Sequence, residues 1–119
     1  PGSASVVQAV ARAEAGIGYS GMGYRTADVR AVPIAREAGQ PFVPPTPGAT
    51  LAGRYPLGRV LYAYVAWDPA RGLPPLEREF LTMVLSRTGQ AVVRKAGYIP
   101  LPARQVTEQR ARLGLGGAP

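Results

Sequence analysis

The chain has 119 residues, a formal net charge of +7, and neither cysteine nor histidine. That length suits one domain or part of a larger one, and an apolar content of 46% excludes disorder throughout. The two missing residue types exclude disulfides, thiolate nucleophiles, zinc–thiolate sites and the commonest general base, so an enzyme is not expected and no cofactor or metal is anticipated.

Pro1-Gly2-Ser3 reads as a turn into a helix, with Ser3 or Ser5 as the capping residue. Val6, Val7, Val10 and Ala13 recur at helical spacing, which predicts about three turns ending near Glu14, stopped at Ala15-Gly16. A serine behind a glycine turn aims backbone N–H groups at whatever lies ahead of the helix, and that favours an anion; the same arrangement is also an ordinary cap. Gly16-Ile17-Gly18-Tyr19-Ser20-Gly21 formally matches the dinucleotide fingerprint. The fingerprint needs a strand before it and a helix opening inside it, whereas here a helix precedes the glycines. A short buried strand over Ile17–Ser20 is expected instead, its glycines allowing close approach of neighbouring backbone.

Ala31-Val32-Pro33-Ile34-Ala35 predicts an edge strand or bulge, because Pro33 cannot donate to a ladder. Residues 36–54 are crowded with proline and glycine and predict an ordered loop, with one helical turn at Pro47–Leu51 and with Phe42, Val43 and Leu51 packed inward. Arg59 to Trp67 is rich in aromatic and branched residues, as a strand is. Leu61, Ala63 and Val65 alternate with Val60, Tyr62 and Tyr64, so both faces are apolar, which predicts a central strand covered on each side.

Asp68 to Gly72 is a turn, and Pro74-Pro75 opens a helix with an apolar stripe of Leu76, Phe80, Leu81, Val84 and Leu85. Ser86 restarts a second helix over Arg87–Ala96 that buries Val92 and Val93, and Gly97 stops it. Tyr98 to Pro102 is extended, since each proline disfavours helix in the residue before it. A last amphipathic helix runs from Ala103 to Leu113, followed by a frayed tail from Gly114.

All but one of the basic residues are arginine, and they are scattered along the chain, where a nucleic-acid groove would need a concentrated stripe. A nucleic-acid partner is therefore not expected, although a basic nucleic-acid-binding domain stays open as an alternative. No window approaches the ~18 apolar residues of a membrane span. The chain starts in mid-pattern, which leads us to expect a mature or truncated product.

The blocks PGSASVVQAV, GIGYSGMGY, RAVPIA, YPLGRVLYAYV and EFLTMVLSRTGQAVVRKAGYIPLP, in this order and spacing, resemble the periplasmic phosphate-binding proteins that feed the Pst-type phosphate transporter. The most specific of them is a Ser-x-x-Gly-Gln helix followed by Gly-Tyr-x-Pro-Leu, and the resemblance covers Pro1 to about Arg104. It implies an α/β fold of the type II periplasmic-binding-protein class, of which this chain is a C-terminal part. Residues 1–54 would end the second lobe, and residues 55–119 would form a crossover strand and the return to the first. The implied function is binding of inorganic phosphate for uptake by an ABC transporter, with a membrane permease as partner and an extracytoplasmic location. The family's main phosphate ligands lie upstream of the resembling region, so Gly2 and Ser3 are the candidate ligand residues here. The alternative is a scaffold of the same class that has lost ligand binding and serves in structure or interaction.

Overall fold

The computed structural model describes residues 2–68 and 70–116. The chain divides between Leu61 and Tyr62 into two compact units, 1–61 and 62–119. Among the described residues the regular structure is helical: α1 (Ser3–Arg12), α2 (Pro47–Leu51), α3 (Pro75–Val84), α4 (Arg87–Lys95) and α5 (Ala103–Arg112), with a 3₁₀ turn at Met22–Tyr24. No helix is long and apolar enough to cross a membrane among the described residues.

In the first unit, α1 buries Val7 and half-buries Val6 and Val10, following the predicted spacing. The glycine run after it crosses the same face. A Cβ placed on Gly18 would lie 2.7 Å from the Val10 side chain and 2.9 Å from that of Val6, so the glycine does allow close approach, but of helix side chains. The predicted strand there does not form: Ile17 is 87% exposed and no ladder pairs it. The expected edge strand at Ala31–Ala35 shrinks to one antiparallel pair, in which Ile34 and Val43 exchange two hydrogen bonds of 3.0 Å. Within the loop, α2 forms where expected. Thr46 caps it by accepting from the Ala49 N–H at 3.2 Å, and Ala49 is buried. Phe42 and Leu51 stay exposed and only Val43 is half-buried, contrary to the packed loop expected from composition.

The largest departure concerns Arg59–Trp67. The segment is extended, and the rings of Tyr62 and Tyr64 lie 6.5 Å apart as next-but-one neighbours on one face. Yet no strand is formed among the described residues, and Val60, Leu61, Tyr62 and Tyr64 are exposed, Tyr64 at 92%. A helix closes its hydrogen bonds within itself, but a strand requires a neighbour. No described segment runs beside this one, so the β part of the α/β expectation has no counterpart in these residues.

The second unit holds a cluster of buried apolar residues. Leu73, Leu81, Leu85, Val106 and Leu115 form its core, with Val65, Leu101 and Leu113 packed against it. The α3 stripe is only half used. Leu81 and Leu85 are buried, whereas Leu76 (79% exposed) and Phe80 face out. Val92 is likewise exposed where burial was expected, and Val93 is half-buried.

Three residues of the Ser-x-x-Gly-Gln pattern fix the corner between α3 and α4. Ser86 caps α4 by accepting from the Gly89 N–H at 3.0 Å. Gly89 is buried where the α3 C-terminus crosses. A Cβ there would collide with the Met83 carbonyl oxygen and come within 2.6 Å of that of Val84, so only glycine fits. Gln90 donates through Nε2 to the Val84 carbonyl at 2.9 Å and accepts through Oε1 from the Leu101 N–H at 2.8 Å.

Gly97 ends α4 at φ +82°, with the Tyr98 N–H donating to Val93 and that of Gly97 to Arg94, the Schellman pattern. The end of α5 repeats it: Leu115 donates to Arg110 and Gly114 to Ala111. The tail is therefore not frayed through Gly116. Leu115 fills the core, while Arg78 and Arg110 donate to the carbonyls of Gly114 and Gly116 at 3.1 and 3.0 Å. Residues 117–119 of that tail lie outside the described residues.

Candidate anion site

The predicted ligand residues Gly2 and Ser3 sit at the start of α1. Gly2, rather than Ser3 or Ser5, is the N-cap, with extended backbone at φ −94° and ψ 175°. Its carbonyl accepts from the N–H groups of Ser5 (3.1 Å) and Val6 (3.3 Å) and from the Ser5 hydroxyl (2.7 Å). The Ser5 hydroxyl is thereby a donor to the turn and does not cap the helix. Ser3 is the first helical residue and half-buried, and its carbonyl accepts from the Ser20 hydroxyl at 3.1 Å.

No side chain caps the first turn of α1, so among the described residues the N–H groups of Ser3 and Ala4 have no partner, at the end where the backbone dipole favours an anion. The first turn carries no acidic residue that would oppose one. Among the described residues the Ser3 hydroxyl makes no hydrogen bond, so it remains a donor on the same helix end. The GYSG stretch contributes Ser20 as the brace that ties the glycine-rich crossing to the start of α1. Sequence reasoning missed that brace, because its only signal is one serine placed 17 residues along the chain. In the first unit the Arg59 guanidinium sits 6.0 Å from the centre of the Tyr19 ring, and Arg36 donates to the Gly53 carbonyl at 3.3 Å.

No protein-family model matches the chain. Among curated proteins, matches include proteins named as phosphate-binding and one named SphX. The chain is 53% identical over 115 residues to the phosphate-binding protein PstS of Pseudomonas aeruginosa, a span of 97% of this chain and 36% of that protein. It is 29% identical over 111 residues to the phosphate-binding protein PstS of Staphylococcus saprophyticus, covering 91% of the chain and 34% of that protein. It is 30% identical over 111 residues to protein SphX of Synechococcus elongatus, covering 90% and 32%. The class defined by these likenesses is the periplasmic-binding-protein fold. Within that class the chain is similar to a C-terminal portion of the PstS-type phosphate-binding proteins. It spans about a third of the length of the relatives it matches.

Proposed function

We propose that this chain is part of a solute-binding protein that captures inorganic phosphate outside the cytoplasm and hands it to the membrane permease of an ABC transporter. The observation that carries the reading is 53% identity to PstS of Pseudomonas aeruginosa over nearly the whole chain. In this reading residues 1–54 end the second lobe of a two-lobed α/β protein, and residues 55–119 cross back and help complete the first. The extended, two-faced apolar segment around Val60–Trp67 is the crossover strand, and its sheet neighbours belong to the remainder of the protein.

Phosphate binding of this kind makes and breaks no covalent bond. Removing an anion from water is costly, so the site must present many donors already fixed in place, and lobe closure then traps the ion among them. The uncapped start of α1 fits that requirement, with Gly2 supplying backbone that approaches the ligand closely and Ser3 a hydroxyl on the same helix end. The family's other ligands lie in sequence preceding the region matched here.

The test is calorimetric titration of the complete protein, this chain joined to the coding sequence ahead of it, with phosphate. Binding is expected in the complete protein, and Ser3→Ala should weaken it about fivefold, as loss of one neutral hydrogen bond does. An unrelated domain ahead of Pro1, or no phosphate binding by the complete protein, overturns the reading.

A further inference from the structure

From Phe80 to Thr107 the chain contains no aspartate or glutamate, yet it carries Arg87, Arg94, Lys95 and Arg104. Arg104 is neutralised by Glu108, whose carboxylate it meets at 2.8 Å. The other three lie on α4, are exposed, and make no ion pair among the described residues. At ~100° per residue, Arg87, Ala91, Arg94 and Lys95 fall within an arc of about 100°, centred opposite the packed side that carries Gly89 and Val93. The three cations thus share the outward face of α4. Arg94 and Lys95 stand in the last helical turn, where the backbone dipole favours a positive charge. Arg87 stands in the first turn, where it does not, so helix stability does not account for it. Exposed Val92 borders the arc, and exposed Tyr98 follows just past the helix end.

From this face we infer that α4 docks on an anionic phospholipid surface. An unneutralised cationic face with an exposed aliphatic side chain beside it and an exposed aromatic just past the helix end is the pattern of an interfacial surface: the charges are drawn to acidic headgroups and the apolar groups settle at their level. Each cation close to an acidic bilayer raises partitioning about fivefold, so three raise it on the order of a hundredfold, which holds a protein reversibly at the surface without anchoring it. The inference does not depend on phosphate binding, and its test uses none.

The test is co-sedimentation of the purified chain with vesicles of phosphatidylcholine alone or with about a third phosphatidylglycerol. Binding is expected only to the acidic vesicles and should disappear near about 0.5 M salt, where charges are screened over a few ångströms. Arg87→Gln/Arg94→Gln/Lys95→Gln should lower partitioning on the order of a hundredfold with an unchanged circular-dichroism spectrum, since all three side chains are exposed. The control Arg12→Gln/Arg25→Gln/Arg30→Gln removes the same charge from exposed positions of the first unit and should retain binding. Equal loss in the control shows that net charge acts and not this face, and overturns the inference. So does the absence of binding to acidic vesicles, or retention of a single-stranded oligonucleotide through Arg87, Arg94 and Lys95 in place of vesicles.

Discussion

Replacing Gln90 by leucine removes two hydrogen bonds while keeping much of the side chain's volume. The first serves the Val84 carbonyl at the end of α3, a group that the helix itself leaves without a partner. The second serves the N–H of Leu101, which stands between Pro100 and Pro102 and is the one backbone donor of that Pro-Leu-Pro exit. Both bonds are half-buried. Each is worth about 1 kcal/mol net, and leucine can replace neither, so Gln90→Leu should cost about 2 kcal/mol. In a unit of this size that lowers the thermal midpoint by roughly 10 °C. Gln90→Glu keeps the acceptor for Leu101 but turns a carboxylate oxygen toward the Val84 carbonyl in place of the donor, so at least half the effect should remain. The assay is thermal unfolding followed by circular dichroism, combined with amide exchange at Leu101. The exchange rate there should rise at least about tenfold in Gln90→Leu and change little in Gln90→Glu. An unchanged midpoint together with unchanged exchange at Leu101 would refute the idea that this glutamine ties α3, α4 and the exit together.

Gly89→Ala should destabilise the second unit by about 3 kcal/mol or more in chemical denaturation, because the added Cβ meets backbone carbonyls that cannot step aside. Ser86→Ala should cost about 1 kcal/mol by the same measurement, through loss of the cap on Gly89. Leu115→Ala should cost about 3 kcal/mol, showing calorimetrically that the residues after α5 belong to the core. Replacing Val60, Tyr62 and Tyr64 together by threonine should raise the fraction of this chain that runs as monomer in size-exclusion chromatography, since these exposed side chains sit on an unpaired extended segment.

The helical half of the molecule was legible because its signals are local. Pro74-Pro75 opening α3, Ser86 starting α4 and Gly97 as the stop each act within a few residues, and each works as its position predicts. The Ser-x-x-Gly-Gln pattern could be recognised, but its reason could not. That Gly89 makes room for Met83 and Val84, and that Gln90 reaches Leu101, depends on the angle at which two helices cross. The tail was misjudged for the same cause. Gly114 reads as the end of structure, yet Leu115 finds a core assembled from residues far apart in the chain, and Arg78 crosses 36 positions to hold the tail's backbone.

At the candidate site the sequence located the helix start, and its cap was misassigned. A serine cap was expected at the start of α1, but Gly2 is the N-cap, Ser5 turns its hydroxyl to the Gly2 carbonyl, and Ser20 arrives from the glycine-rich crossing. The strands were the true limit. Alternating apolar residues at Val60–Val65 establish that two faces want covering, not what covers them, because a strand's hydrogen bonds are completed by another segment. Sequence alone thus determined where helices begin and end and which family the blocks resemble. Tertiary structure alone decided which apolar faces find partners, since burial is a property of neighbours and not of the residue that is buried.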